Sequence, residues 1–214
     1  MQKKLEAKKI FNGKCEFLFG AHNYSQIPAS LAPEIAFLGA SNVGKSSLIN
    51  AVVGSKVAIV STTPGRTRQL NFFKIADGFT QNFSEGFTLV DMPGYGFAKA
   101  DGKHIEHWQK TGLEYLTKRQ NLKRLFLLVD PIKGLKEADH DMLHVLSAVA
   151  VSFQIVLTKT DKLNKEELKK SYEKIKREID KSPAAHPEIL STSSSKGYGI
   201  KELQDSIVEV LQHL

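Results

Sequence analysis

The segment Gly39-Ala40-Ser41-Asn42-Val43-Gly44-Lys45-Ser46 constrains this chain more than any other. It has the spacing GxxxxGK[ST], follows the short apolar run Glu34-Ile35-Ala36-Phe37-Leu38 and precedes a helix-like stretch at 46–53. Strand, glycine loop and helix in that order make a phosphate cradle. The glycines let the backbone wrap closely around an anion, and successive N–H groups at the start of a helix attract it. Lys45 is placed to bridge the outer phosphates of a nucleoside triphosphate, and Ser46 to offer its hydroxyl to Mg²⁺. Ser47 follows in the same turn.

Such a loop needs a mainly parallel sheet to hang from, and the rest of the chain supplies one. The runs at 87–90, 125–129 and 153–157 are continuously apolar rather than alternating, as strands buried on both faces are, and they lead into Asp91, Asp130 and Thr158. Residues 188–190 read as the last strand. Helical patterns fall at 104–118, 136–149, 165–181 and 200–212, so the expected fold is α/β, a mostly parallel six-stranded sheet flanked by helices. Asn164 with Glu167 resembles a capping box opening the fourth helix. Leu203, Ile207, Val210 and Leu211 share one face of the last helix, which makes it packing material. Asp77-Gly78 is a turn signal, so 77–86 reads as a hairpin connection. Residues 55–70 and 92–103 look irregular. The expected organisation is a basic extension at 1–14 and one domain at 15–214.

The phosphate loop alone does not choose the base. Thr158-Lys159-Thr160-Asp161, at a predicted strand end, does: a carboxylate at Asp161 accepts from guanine N1–H and the 2-amino group, a donor pair that adenine lacks. The stem of Lys159 would lie over the base plane, and the Thr158 hydroxyl can bond back to the phosphate loop. Asp91-Met92-Pro93-Gly94 adds a carboxylate to hold Mg²⁺ through water and a Gly94 amide to sense the γ-phosphate. Thr67, within Thr62-Thr63-Pro64-Gly65-Arg66-Thr67-Arg68, is the natural second hydroxyl ligand, with Thr62 and Thr63 as competitors and Gly65 and Arg66 beside the nucleotide. Lys45, Thr67 and Gly94 are the candidate catalytic groups. In Ser191-Thr192-Ser193-Ser194-Ser195, an amide near Ser194 could bond guanine O6, with Thr192 and Ser193 alongside; the run reads equally as a plain linker.

Two positions bear on the rate. Many Ras-like proteins carry Gln after the DxxG glycine to orient the attacking water. Tyr95 stands here, so slow intrinsic hydrolysis, accelerated by a partner or an ion, is expected. Asn42 resembles the asparagine with which potassium-stimulated GTPases help bind K⁺, and it serves equally to shape the loop.

With these elements in order, the chain resembles the TrmE–Era–EngA–EngB group of GTPases, and within it the EngB family. The likeness rests on residues 33–37, on Ser41 to Asn50, on Thr63-Pro64-Gly65-Arg66-Thr67, on Asp91-Met92-Pro93-Gly94-Tyr95-Gly96-Phe97-Ala98 and on residues 158–162, and it spans about 15–214. The string DxPGYG(F/Y)A is its most discriminating part. Ala40 stands where that family usually has Arg, and the connection from Lys74 to Phe87 is longer than usual. The resemblance implies a Ras-like domain that binds GTP and GDP with Mg²⁺, hydrolyses GTP and assists large ribosomal subunit assembly, with an association with cell division and septation.

Composition sets the remaining bounds. A net charge of +7 favours a polyanionic partner and serves equally as a solubility charge. It is concentrated at Lys3, Lys4, Lys8, Lys9 and Lys14, and at Lys110, Lys118, Arg119, Lys123 and Arg124. With Arg66, Arg68, Lys99 and Lys103 these would form an RNA-facing surface. The single Cys15 excludes an internal disulfide, and no signal or membrane stretch is evident, so a cytoplasmic monomer is expected. His104 with His107, and His140 with His144, sit at helical spacing but read as surface residues. The rival readings are a binding module that GTP merely stabilises, the GTPase portion of a tRNA-modifying or ion-transport system, and an ATP-dependent kinase, which the Thr158 to Asp161 motif disfavours.

Overall fold

The computed structural model of the 214-residue chain describes residues 7, 10–11, 14–29, 32–59, 69–75, 86–96 and 102–212, with the side chains of 102–109 excepted. Its elements are β1 (Cys15–Ala21), β2 (Glu34–Gly39), α1 (Lys45–Val53), β3 (Leu70–Ile75), β4 (Phe87–Asp91), α2 (Gly102–Lys118), β5 (Leu122–Val129), α3 (Glu137–Ala148), β6 (Phe153–Leu157), α4 (Lys165–Ile179), β7 (Leu190–Ser191) and α5 (Ile200–Gln212). They form one sheet in the order β1-β3-β4-β2-β5-β6-β7. The strands from β4 to β7 are parallel, while β3 runs antiparallel to both β4 and β1.

Side-chain alternation along the central strands splits the core into two layers. Ile35 and Phe37 point to one side, where they pack with Leu48, Ile49 and Val52 of α1 and Leu203, Ile207 and Leu211 of α5. Ala36 and Leu38 point to the other, toward Tyr115 of α2, Leu143 and Leu146 of α3, and Ile175 and Ile179 of α4. Being buried on both faces is why these strands read as continuous apolar runs. The capping box is present as expected: Glu167 N–H donates to Asn164 Oδ1 at 3.0 Å, and Asn164 N–H to Glu167 Oε2 at 2.9 Å.

The sheet has seven strands where the sequence suggested six. The additional strand, β1, lies at the edge, and its pattern is blurred because Phe17 and Leu18 are both exposed and the pairing slips between Phe17 and Phe19. Its hold on the sheet is aromatic: Phe19 stacks on Phe72 at 4.6 Å and Phe17 meets Phe73 edge-on at 5.6 Å. At the opposite edge β7 has two residues, Leu190–Ser191, displaced from the expected 188–190. The expected 77–86 hairpin connection lies outside the described residues, apart from Gly86.

Ahead of the sheet, Ala7, Ile10 and Phe11 are helical, buried and joined to the first core layer, with Phe11 against Phe87 at 5.9 Å. Their spacing places them on one helical face.

Charge is also built into the base of the sheet. Glu34, the first residue of β2, is 1% exposed. Its carboxylate accepts from Arg119 Nε at 2.9 Å, Arg119 Nη2 at 2.5 Å and the Tyr115 hydroxyl at 2.9 Å. Lys118 lies over the Tyr24 ring and pairs with Glu114 at 3.3 Å, and Arg124 Nη1 donates to Gln154 at 3.2 Å. Within the basic stretch 110–124, Arg119 and Arg124 are thus committed to partners within the protein, while Lys110 and Lys118 are exposed.

Removing Arg119 would leave Glu34 buried and short of its counter-ion. Arg119→Ala is expected to lower unfolding free energy by about 3–5 kcal/mol in urea titration; a loss within ~1 kcal/mol would show the pair to be dispensable.

Candidate nucleotide-binding site

β2 delivers the chain into the phosphate loop at Gly39, which passes so close to β5 that an added Cβ would lie 2.9 Å from the Leu128 carbonyl oxygen. The loop then turns through two left-handed residues, Asn42 at φ 64° and Gly44 at φ 106°, and Gly44 caps α1. Val43 N–H donates to Ala40 O at 3.1 Å. Lys45 is the first residue of α1 and is buried, and Ser46 and Ser47 follow it, half-buried, in the first turn.

The end of β4 lies against this loop. Tyr95 N–H donates to Gly39 O at 3.3 Å, and Ser41 N–H to Tyr95 O at 3.0 Å. A Cβ on Gly94 would come within 3.2 Å of Gly39 O and 3.3 Å of the Ser41 Cα, a tight fit that favours glycine here. Asp91, the last residue of β4, meets Lys45 Nζ in a buried ion pair. An anion held by Lys45 and a cation held beside Asp91 would thus be immediate neighbours, which is the demand a metal–triphosphate makes. The donor set of Ser46 hydroxyl and Asp91 carboxylate suits a hard, oxygen-seeking ion. Among the described residues no cluster of three His, Cys, Asp or Glu offers an alternative metal site.

The second half of the site hangs from β6. Thr158 Oγ1 donates to Val43 O at 2.7 Å, the bond back to the phosphate loop that its hydroxyl makes possible. Lys159 sits at φ 54°, and its Nζ donates to Asn42 O at 2.8 Å and to Asp130 Oδ2 at 2.9 Å. This draws its stem across Gly44, whose added Cβ would be 3.6 Å from the Lys159 Cε.

The serine-rich run is structured: Thr160 N–H donates to Thr192 O at 3.1 Å, Thr192 N–H to Leu157 O at 2.7 Å, and Ser193 N–H to Tyr198 O at 2.9 Å. Thr192 and Ser193 are buried, and Ser194 beside them is half-buried. Asp161 is exposed and accepts from Ser193 Oγ at 2.6 Å and Ser195 Oγ at 3.2 Å. Chiefly through the Ser193 bond, its carboxyl is held below the usual carboxylate range.

Two carboxylates belong to this region without having been singled out by motif. Asp130 anchors Lys159, and its place at a strand end was a signal. Asp139 of α3 is buried and accepts from the Tyr95 hydroxyl at 2.6 Å and from Lys136 N–H at 2.8 Å. No short motif joins residues so distant in sequence. With its hydroxyl so committed and its ring buried, Tyr95 is not aimed at a water molecule. Gly65, Arg66 and Thr67, with Thr62, Thr63 and Arg68, lie outside the described residues, as do Lys99 and the side chain of Lys103. His140 pairs with Glu178 at 3.2 Å, the role of a surface residue.

A family model described as 50S ribosome-binding GTPase matches residues 34–159. A probable GTP-binding protein EngB from Allorhizobium ampelinum is 45% identical over 207 residues, covering 95% of this chain and 94% of its own length. Its namesake in Bartonella tribocorum is 46% identical over 205 residues, covering 94% and 95%. The chain belongs to the EngB family of GTP-binding GTPases. Among solved structures, a probable GTP-binding protein engB aligns with TM-score 0.60 at 25% identity, over 85% of this chain and all of the other. Era of Aquifex aeolicus, bound to GDP and aluminium fluoride, shares the fold at TM-score 0.67 and 22% identity, over 84% of this chain and 56% of its own. Membership of the EngB family makes the chain a GTP-binding GTPase, and the geometry supplies the residues to test.

One test follows from Asp161. Because its carboxyl is held low, guanine binding that needs the carboxylate should persist on acidification and fail only as pH drops through that depressed value. Ser193→Ala removes the largest cause, so in a fluorescent-GDP titration the acid limb of affinity should move to higher pH. An unmoved limb would separate Asp161 from base recognition.

Proposed function

We propose that this GTPase is a timer of large ribosomal subunit assembly, docking on the particle in one nucleotide state and leaving in another. The observation that carries the reading is the junction of Val43, Asn42, Thr158 and Lys159, which makes one rigid site of the phosphate loop and the guanine reader. The match to ribosome-binding GTPases supports the choice of partner. Among the described residues no helix is long and apolar enough to cross a membrane. A cytoplasmic monomer is our reading, and a role in division and septation would follow from ribosome supply.

In this reading residues 39–47 hold the phosphates, with Lys45 on the outer pair. Ser46, Asp91 and Thr67 hold Mg²⁺, which when bound neutralises phosphate charge. The Gly94 amide meets the γ-phosphate, and Gly65 and Arg66 are counted among the nucleotide-binding residues. Asp161 reads guanine N1–H and the 2-amino group, Lys159 covers the base, and Thr192, Ser193 and Ser194 line its O6 edge. The exposed Asn42, at the tip of the phosphate loop, is where K⁺ would bind, and Tyr95 leaves the intrinsic rate slow.

The commitment of the Tyr95 hydroxyl to Asp139 also favours a second reading, in which GTP only stabilises a particle-binding form and hydrolysis is incidental.

Hydrolysis measured with and without purified large subunits, in K⁺ and in Na⁺, separates them. The timer predicts strong stimulation by the particle, greater in K⁺; a rate unchanged by the particle would leave the binding module. Lys45→Ala should weaken triphosphate binding by about a hundredfold, since it deletes a buried charge-assisted contact. Retained affinity in an equilibrium binding assay would mean that the phosphates lie elsewhere.

A further inference from the structure

Tyr95 connects three parts of the molecule. Its backbone bridges to the phosphate loop through Gly39 O and Ser41 N–H. Its ring is packed in the second core layer, 4% exposed. Its hydroxyl reaches Asp139 Oδ1 at 2.6 Å. The other oxygen, Oδ2, accepts Lys136 N–H at 2.8 Å and so caps the start of α3. One buried carboxylate therefore holds both the residue that follows Gly94 and the first turn of a helix more than forty positions away. Between them lies a cavity of about 130 Å³, lined by Ser41, Val43, Tyr95, Asp130, Lys136 and Asp139 among others.

That arrangement has a mechanical consequence. Gly94 is backed by Gly39 O and Ser41, where a side chain would be accommodated only if its neighbours gave way by a few tenths of an ångström. On the other side Tyr95 is gripped at both ends, by the loop at its backbone and by α3 at its hydroxyl. The Gly94 N–H belongs to the preceding peptide, from Pro93, and is linked to the tethered Tyr95 through the Gly94 backbone alone, so holding Tyr95 at its backbone and its hydroxyl limits how far Gly94 can swing. Burial and the neighbouring Asp139 raise the Tyr95 phenol well above its ordinary range, so it stays a donor.

We propose that Asp139 and the Tyr95 hydroxyl are positioning groups that set the Gly94 peptide against the γ-phosphate and tie that contact to the N-terminus of α3. The proposal rests on the reading of Gly94 as the γ-phosphate contact. On that reading both groups act through Gly94 and not by contact with the nucleotide. Their effect falls on the difference between triphosphate and diphosphate, since only the triphosphate reaches Gly94.

The test compares affinity for GDP with affinity for a non-hydrolysable GTP analogue, in the full-length protein and in Tyr95→Phe, Asp139→Ala, the double variant and Gly94→Ala. Tyr95→Phe is isosteric and keeps the ring packing. It is expected to weaken analogue binding about tenfold while GDP binding changes less than about twofold. Asp139→Ala should shift the ratio in the same direction, and the double variant should be no worse than Asp139→Ala, which already deletes the Tyr95 bond together with the cap on Lys136 N–H. Equal losses for both nucleotides, no loss, or additive losses would overturn the proposal. If Asp139→Ala fails to fold, the Tyr95→Phe comparison decides alone. Gly94→Ala keeps the two failures apart. If it too binds both nucleotides with an unchanged ratio, the Gly94 reading is wrong; if it discriminates and Tyr95→Phe does not, only the Tyr95–Asp139 link is wrong.

Discussion

The bond from Thr158 Oγ1 to Val43 O, 2.7 Å long and buried, joins two strands that are not neighbours in the sheet. β2 and β6 flank β5, and the loops at their ends would be independent without a tie across it. Lys159 adds a second tie, from Asn42 O to Asp130 at the end of β5, so three adjacent strand ends are fastened at one corner. A residue at φ 54° bears the local strain that brings the Lys159 stem over Gly44. On the proposed reading, phosphate contact and base contact would then belong to one pre-ordered unit, which lowers the cost of binding.

The same economy appears in the buried charges. Asp91 faces Lys45, Asp130 faces Lys159, Asp139 faces Tyr95 and Lys136 N–H, and Glu34 faces Arg119 and Tyr115. A carboxylate in a core is tolerated only when its oxygens are satisfied. Three of these four lie at the carboxyl ends of the parallel strands or beside them, where an open α/β sheet places its ligands. The fourth, Glu34, sits at the opposite end of β2, away from that rim, bound to Arg119 and Tyr115. The distribution separates what the fold needs from what the site needs.

The parts of this arrangement that were legible in the sequence share a cause: they are local or periodic. The phosphate loop, the Asn164 to Glu167 cap, the continuous strands and the face of α5 each declare themselves within a few residues. Thr158 could be assigned its bond because its hydroxyl had one sensible target. The Tyr95 to Asp139 bond was not legible, since it spans two elements that only tertiary packing brings together. β1 escaped for another reason: an edge strand with a bulge exposes apolar residues on consecutive positions and breaks the period-2 signal. Nor can sequence show that one of the basic residues at 110–124, Arg119, turns inward to Glu34.

Base recognition is proposed to rest on the Asp161 carboxylate, which accepts from Ser193 and Ser195. Exchanging that acceptor for a donor tests it most directly. In Asp161→Asn the amide offers N–H where the carboxylate accepted, which suits xanthine, whose C2 carries an oxygen in place of the guanine amino group. Calorimetric titration of the variant with GTP and with xanthosine triphosphate should show GTP affinity falling by about a hundredfold or more and the xanthine nucleotide becoming the better ligand. A variant that still prefers GTP would contradict the account and place base recognition elsewhere on the molecule.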